Sequence, residues 1–258
     1  MMDARPDAAP LPPLATRLRD PRRLAAMLLL ALTGGLTLAF LYARGELGGS
    51  DALAYWTSVR IWLAGGDPFV APESFLPWAY APWTLILFLP WALLPWSVAW
   101  FFWRAINIAL FAWTVGWAYR RRPLTAAVAV AALGVPLTAN LDTGNINVFI
   151  VLAVFAAQFT GPRLAGLLWA FGAALKWVPA LLIVFLPRRA WPWGFLFLAI
   201  AAVLTFATWP QTLLQIDIAF NFPRPARIDY LLLLWAGVPW FWRWLDRHPR
   251  LDPDAGRT

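Results

Sequence analysis

Apolar runs long enough to cross a membrane are the feature that most limits what this chain can fold into. The run Leu24–Tyr42 would be about 28 Å long as a helix, close to the thickness of a hydrocarbon core. Trp96–Tyr119 and Ala190–Trp209 are also long enough to span. Hydrophobic residues make up 61% of the chain and charged residues 13%, whereas soluble domains average roughly half and a quarter. We therefore predict an all-α integral membrane protein, which excludes a disordered chain, a disulfide scaffold and an ordinary soluble enzyme.

Several other apolar runs are short or interrupted. Tyr80–Leu94 contains two prolines, and Leu164–Leu186 is interrupted by Lys176 and Pro179. Proline breaks or kinks helices, and non-helical backbone at membrane depth is tolerated only where it lines a cavity or is buried in protein. We predict a polytopic helical bundle of about 6–8 membrane segments, some short or re-entrant, that encloses a cavity. The remaining runs are Leu124–Asn140, Ile146–Phe159 and Tyr230–Trp244.

The positions of the arginines predict the orientation in the membrane, because cytoplasmic loops are enriched in Lys and Arg. Residues 1–23 carry five arginines, whereas 44–79 carries two against four acidic residues. We predict a cytoplasmic N-terminal tail (1–23), a single transmembrane domain (24–245) with its first external loop at 44–79, and a cytoplasmic C-terminal tail (246–258). Leu24–Tyr42 is interpreted as an uncleaved anchor, since no small-residue cleavage pattern follows it.

Two topologies stay open for the middle of the chain. If Tyr80–Leu94 and Trp96–Tyr119 form a hairpin of spanning helices, Arg120–Arg122 lies outside, against the charge rule. If Tyr80–Leu94 is instead re-entrant or interfacial, Arg120–Arg122 lie inside and residues 142–145 lie outside. We favour the second topology on the charge rule alone.

Cysteine is absent and histidine nearly so, which limits the chemistry. The chain has no Cys, and its one His, His248, lies in the C-terminal tail. Thiol nucleophiles, disulfides and multi-His metal sites are therefore excluded, and we predict no metal or other cofactor. A carboxylate is the common general base that is left. The candidates are Glu46, Asp51, Asp67, Glu73 and Asp142.

Asp51 has two open interpretations. It precedes the amphipathic stretch Ala52–Leu63, which predicts a short interfacial helix ended by Gly65 and Gly66. In that position Asp51 could be a helix cap, since a carboxylate accepts a bond from a backbone N–H at a helix start. The other interpretation is a general base at the membrane surface, although the local sequence by itself favours the cap.

A second polar group, Asp142, Asn145 and Asn147, surrounds Gly144 between two apolar runs. One interpretation is turn and cap chemistry for a helix that starts near Ile146. The other is sugar binding, because an amide offers both a donor and an acceptor to hydroxyl groups. The sequence does not decide between them.

Lys176 is the only lysine in a chain with 20 arginines, and it lies inside an apolar run. An ionisable residue within the membrane is costly and indicates a functional site, so we predict that Lys176 neutralises a phosphate; the alternative is a side chain that reaches out to the interface. Arg104, inside Trp96–Tyr119, and Arg60, on the predicted interfacial helix, have the same two interpretations. The net charge of +8 reflects arginines beside apolar segments, and we predict no nucleic-acid partner.

Four short stretches follow one another in a specific order and spacing. They are Ser50–Trp56 with its aspartate, the Gly-x-x-Pro-aromatic segment within Leu63–Phe69, Tyr80-Ala81-Pro82 with the Leu-Pro pairs after it, and Gly144–Asn147 followed by Ala165-Gly166 and Lys176-x-x-Pro179. Together they resemble glycosyltransferase family 87, the bacterial polyprenyl-phosphate-mannose-dependent mannosyltransferases with a GT-C fold. Asn145 stands where the family usually has Gln, and Ala81 where it has Pro. The resemblance covers about residues 24–209.

The resemblance implies a GT-C-like bundle and a lipid-linked donor, a hexose such as mannose on a polyprenyl phosphate, used on the external face. It implies transfer with inversion to a hydroxyl of a lipid or glycan acceptor, aided by an aspartate base in the first loop, and that role falls on Asp51. With it, the predicted substrate-binding residues are Lys176, Asn145, Asn147, Arg60, Arg104 and Tyr55, and no metal ligand is predicted.

The predicted location is the bacterial inner membrane, with several passes, both termini cytoplasmic and membrane lipid as a partner. The chain has no nucleotide-binding motif, which fits a donor that is used outside the cytoplasm. Two alternatives stay open. One is a catalytically inactive, shortened homologue that binds lipid-linked sugars or scaffolds a partner. The other is a transporter, which predicts an internal hydropathy repeat that the sequence does not display.

Overall fold

The computed structural model describes residues 20–69, 77–221 and 228–254, and these are helical, with no β-strand among them. Predictions for residues 1–19, Glu73 and residues 255–258 lie outside the described residues. The α-helices are α1 (Pro21–Arg44), α2 (Ser50–Leu63), α3 (Leu89–Ala92), α4 (Trp96–Arg121), α5 (Pro123–Ala132), α6 (Gly134–Thr143), α7 (Asn147–Ala157), α8 (Pro162–Leu175), α9 (Trp191–Ala207), α10 (Trp209–Asn221) and α11 (Val238–Arg247). The 3₁₀ helices are Gly45–Leu47, Pro82–Phe88, Val178–Phe185, Arg188–Ala190, Ile228–Gly237 and Pro249–Leu251.

Among the described residues, three helical stretches are long and apolar enough to cross a membrane. They are Pro21–Leu63, which contains α1 and α2, then α4, and Arg188–Ala207, which contains α9. The pair α5 and α6, bent by 60°, would make a fourth. Pro82–Ala92, α7 and α8 are shorter apolar helices. The prediction of an all-α membrane bundle is confirmed. Against the 6–8 predicted segments, some short or re-entrant, the described residues contain three or four helices long enough to span and three shorter apolar helices.

Helices α5 and α6 both pack against α1, and α6 runs in the same direction as α1. Thr37 on α1 and Thr138 on α6 share a hydrogen bond of 2.8 Å, and further along both helices Arg44 forms an ion pair of 3.2 Å with Asp142. The starts of α1 and α5 therefore lie at one end of the bundle and the ends of α1 and α6 at the other. We call these the Arg122 end and the Asp51 end.

The C-terminal residues close the Arg122 end. Arg122, which is only 8% exposed, pairs with Asp246 and Asp252. Asp254 accepts hydrogen bonds of 2.9 Å from the backbone N–H groups of Leu124 and Thr125 at the start of α5. These bonds satisfy donors that the first turn of a helix leaves unpaired. Residues 246–254 are thus fixed to the turn between α4 and α5.

Helix α7 forms the centre of the bundle. Four of its aliphatic side chains, Val148, Ile150, Val151 and Val154, are fully buried. An 11-residue helix is about 16 Å long, too short to span a hydrocarbon core. Because α7 is enclosed by protein instead of lipid, its N-terminus can lie inside the bundle, and this places Asn147 there.

The predicted break at Lys176 is confirmed. Helix α8 ends at Leu175, Lys176 is extended with φ −141° and ψ 137°, and the 3₁₀ helix Val178–Phe185 turns back along α8. The indole N–H of Trp169 donates to the carbonyl of Ala180 over 3.2 Å across this turn. Pro179 has no backbone N–H, so the helix cannot continue through it with full bonding.

Other boundaries differ from the predicted ones. Leu124–Asn140 is two helices, because Pro136 removes the N–H that would bond one turn back, at the bend between α5 and α6. The residues between the runs Leu124–Asn140 and Ile146–Phe159 are partly helical, since α6 continues to Thr143. No apolar run was predicted between Ala190–Trp209 and Tyr230–Trp244, and α10 lies there because its Leu and Gln residues are good helix formers.

Candidate active site

Asp51 lies in the first turn of α2, at the Asp51 end of the bundle. Its interpretation as a helix cap is wrong, because the cap position is Gly49 and no side chain caps the helix. Gly49 has φ +87°, a left-handed conformation that glycine adopts without strain. The carboxylate of Asp51 instead accepts a 2.5 Å hydrogen bond from the side-chain amide of Asn145.

Asn145 is brought to Asp51 by the turn between α6 and α7. Gly144 ends α6 with φ +70°, and a Cβ there would lie 2.7 Å from both Ala52 and Trp100. A side chain at this position would therefore be strained by conformation and by contact. The turn is fixed further by Trp103, whose indole N–H donates to the Gly144 carbonyl over 2.9 Å.

The amide of Asn145 joins Asp51 to Lys176. Its nitrogen donates to Asp51, and its oxygen accepts from the ammonium of Lys176 over 2.8 Å. The same oxygen accepts from the backbone N–H of Asn147 over 3.0 Å. Asn145 thus satisfies a donor at the start of α7, as one of its two interpretations predicts, and it also links Asp51 to Lys176. Sugar binding by this amide stays a prediction.

Lys176 is held by polar and aromatic groups in the break after α8. It is 8% exposed, and its ammonium also donates to the side-chain oxygen of Asn147 over 3.0 Å. The nitrogen lies 5.8 Å from the ring centre of Tyr80 and 5.3 Å from that of Tyr230. Amide oxygens and ring faces both stabilise a cation. The side chain is therefore turned into the bundle and does not reach out to an interface.

Asp229 is a member of this group that the sequence analysis missed. The amide nitrogen of Asn147 donates to its carboxylate over 3.1 Å, and Asn140 donates to its backbone carbonyl over 2.9 Å. The signal available in the sequence was a single carboxylate directly before the last apolar run, Tyr230–Trp244. Asp51, Asn145, Lys176, Asn147 and Asp229 form what we call the polar line.

Tyr55 borders the polar line from α2. Its hydroxyl shares a 2.9 Å hydrogen bond with that of Tyr80 and accepts a longer one, 3.4 Å, from the backbone N–H of Ile146. Its ring lies against Phe88 and Trp103, with centroid distances of 4.7 and 5.8 Å. Tyr55 is 4% exposed. Together with Phe88 and Trp103 it forms an aromatic layer behind the polar groups.

The two predicted arginines lie apart from the polar line in their described contacts. Arg60 is exposed and lies over the ring of Trp56 at 5.4 Å, and Arg104 lies over that of Trp100 at 4.2 Å. Arg104 is close to the Gly48 backbone beside Asp142, while Asp142 itself is paired with Arg44. Arg44, Arg104 and Asp142 thus form a second charged cluster at the Asp51 end.

An apolar cavity of about 610 Å³ adjoins the polar line. Ile146 and Leu175, the direct chain neighbours of Asn145 and Lys176, are in its wall. The rest of the wall comes from the Pro82–Ala92 segment, α4, α7 and α8 and includes Phe88, Trp103, Phe149 and Phe171. Among the described residues no cluster of acidic or histidine side chains could hold a metal ion. The site therefore combines a carboxylate, a buried cation and an apolar chamber.

Comparison with known proteins identifies the family. The model of "Glycosyltransferase family 87" matches residues 78–227. A relative from Mycolicibacterium smegmatis (strain ATCC 700084 / mc(2)155), a polyprenol-phosphate-mannose-dependent alpha-(1-2)-phosphatidylinositol pentamannoside mannosyltransferase, is 33% identical over 214 residues. That match covers 76% of this chain and 50% of the relative, so the chain spans about half the relative's length. No solved structure matches. The chain belongs to glycosyltransferase family 87.

Proposed function

We propose that this chain is a membrane glycosyltransferase that moves a hexose, mannose, from a polyprenyl phosphate to a hydroxyl of a lipid or glycan acceptor. The observation that carries the proposal is the polar line, in which one amide separates the carboxylate of Asp51 from the ammonium of Lys176. Membership of family 87 and the donor named for the mycobacterial relative support it.

Asp51 acts in this proposal as the general base. Its carboxylate takes the proton of the acceptor hydroxyl while the hydroxyl oxygen attacks the anomeric carbon. The bond from that carbon to the phosphate oxygen breaks, and polyprenyl phosphate leaves with the electron pair. Attack from the side opposite the leaving group inverts the anomeric configuration. The hydrogen bond from Asn145 holds the carboxylate in one orientation.

Lys176 stabilises the leaving group. The departing phosphate gains negative charge, and an ammonium that is fixed before the reaction stabilises such charge most effectively in a site that excludes water. Lys176 is positioned for this by two amide oxygens, those of Asn145 and Asn147. The first isoprene units of the donor fit the adjoining cavity, whose wall is formed by aliphatic and aromatic side chains.

The Asp51 end faces outward in this proposal, and the membrane is the bacterial inner membrane. Arg22 and Arg23 at the start of α1, Arg122 and the C-terminal residues after α11 share the opposite end. This common location supports the charge-rule topology with both termini in the cytoplasm and with α3 and its 3₁₀ helix as a re-entrant piece.

A transfer assay in nanodiscs tests the proposed function. Wild-type protein should transfer mannose from polyprenyl-phosphate-mannose to a lipid acceptor fraction, and Asp51→Asn should reduce the rate by about 10²–10⁴-fold, the range for a lost general base, while donor binding persists. Glu46→Gln is the matched control, since Glu46 is an exposed carboxylate at the same end. Wild-type rates in Asp51→Asn would refute the base. Donor binding without transfer by the wild type would support a non-catalytic binder of lipid-linked sugars.

A further inference from the structure

Asp229 is the last group of the polar line and has no part in the proposed reaction steps. It lies at the start of the 3₁₀ helix Ile228–Gly237, just beyond the residues that match the family model. Its backbone carbonyl accepts from Asn140, which is 1% exposed and also donates to Pro136 on α6. Asp229 is therefore held in place by a buried side chain of another helix.

The amide of Asn147 can face Lys176 in only one useful orientation. An ammonium group donates hydrogen bonds and accepts none, and an ionised carboxylate accepts and does not donate. The oxygen of Asn147 faces Lys176 at 3.0 Å, and its nitrogen faces Asp229 at 3.1 Å. A flipped amide would direct its own donors at the ammonium and its oxygen at the carboxylate, so both hydrogen bonds would be lost.

Asn145 has the same arrangement on the other side of Lys176. Its nitrogen faces Asp51, and its oxygen faces the ammonium and also accepts from a backbone N–H. Each of the two amides therefore has a carboxylate on its nitrogen and the ammonium on its oxygen. The side-chain amide of Asn147 differs in that no backbone N–H is recorded on its oxygen among the described residues, so the carboxylate of Asp229 matters more to its orientation.

We propose that Asp229 is a positioning residue for the donor-phosphate subsite: it fixes the amide of Asn147, and that amide fixes the ammonium of Lys176. This inference rests on the proposed function, because it takes Lys176 as the group that binds the phosphate. Asp229 does not contact the donor in this proposal, and its effect on donor binding passes through Asn147.

A double-mutant cycle on donor affinity tests the inference. The dissociation constant for polyprenyl-phosphate-mannose is measured in nanodiscs for the wild type, Asp229→Ala, Asn147→Ala and the double variant. Asp229→Ala should weaken binding by about tenfold, the scale of a hydrogen bond to a charged group. The double variant should bind no more weakly than Asn147→Ala alone, since residues that act through one another are not additive. Glu46→Gln controls for the loss of one negative charge at this end.

Asp229→Asn separates orientation from charge. Its amide oxygen can still accept from Asn147, so binding should return to within about threefold of the wild type. Additive effects of the two substitutions in the cycle would overturn the inference. Tighter donor binding by Asp229→Ala would also overturn it, because Asp229 would then compete with the donor phosphate for Lys176. Lys176→Met distinguishes failure of the proposed function from failure of the positioning role alone. If it leaves donor affinity unchanged, the proposed function fails at its phosphate site; if it weakens binding and Asp229→Ala does not, only the positioning role fails.

Discussion

Asp51 accepts a 2.5 Å hydrogen bond from Asn145, a residue 94 positions later in the chain. This bond joins the start of α2 to the turn before α7, and the far side of the same amide carries Lys176. The side chain of Asn145 therefore contacts both the proposed base and the proposed phosphate-binding cation. Substitutions at Asn145 should affect the rate of transfer and the affinity for the donor together.

Asn145→Ala should lower the rate of transfer and weaken donor binding together. The amide orients the base, and it also supplies one of the two side-chain oxygens recorded on the ammonium of Lys176. Loss of a hydrogen bond to a charged group costs about 1.5–3 kcal/mol, so we expect each quantity to fall by at least tenfold. Asp51→Asn, in contrast, should lower the maximal rate and leave the donor dissociation constant close to that of the wild type. Steady-state kinetics with varied donor distinguish the two patterns.

Lys176→Met should weaken donor binding by about 1.5–3 kcal/mol, because the substitution keeps the length of the side chain and removes the charge that meets the phosphate. Lys176→Arg should restore only part of the affinity, since a planar guanidinium does not match a pocket arranged around a point charge. Donor affinity in nanodiscs measures both variants. Equal affinity in the Met variant would show that Lys176 does not bind the phosphate, and Arg104 would be tested next.

Membrane sidedness should be readable by single-cysteine labelling, since the chain has no native Cys. A cysteine at Thr143, at the end of α6, should react with a membrane-impermeant maleimide added outside intact cells. A cysteine at His248, beside the residues that pair with Arg122, should react only after the membrane is opened. The reverse pattern would place the Asp51 end in the cytoplasm and contradict the orientation in the proposed function.

Arg122→Met should destabilise the protein by about 3–5 kcal/mol, the cost of leaving one partner of a buried ion pair alone. Asp252 is as buried as Arg122, with side-chain exposures of 8% and 9% respectively. Arg120→Met is the matched control, because Arg120 is exposed at the end of α4, two residues before Arg122, and we expect it to change stability little. Thermal unfolding in detergent measures both. Equal midpoints for the two variants would show that the contacts of Arg122 contribute little.

Features that depend on residues close together in the chain were predictable from the sequence. The break at Lys176 follows from a proline three positions later. The helix after Asp51 follows from its apolar spacing and from the two glycines beyond it. The all-α membrane bundle follows from run length and composition. Each of these inferences uses only local bonding or bulk hydropathy.

Pairings between distant residues were not predictable in this way. By residue type alone Asp142 was as plausible a base as Asp51, and only the parallel packing of α1 and α6 shows that it pairs with Arg44. Asp229 lies in a stretch without a motif, and only the return of the Ile228–Gly237 segment past α7 brings it to Asn147. Arg60 and Arg104 have the charge that a phosphate site needs. Their guanidinium groups, however, lie over the rings of Trp56 and Trp100 on the same helices.

The polar line also sets an order of events during biosynthesis. A ribosome adds roughly 5–20 residues per second, so the fifty or so residues between Lys176 and Asp229 take about 3–10 seconds to make. Throughout that interval Asn145, Asn147 and Lys176 have already left the ribosome's active centre, whereas the carboxylate that faces Asn147 has not been synthesised. The proposed donor subsite is therefore completed by the Ile228–Gly237 segment, which must enter beside helices that were inserted before it.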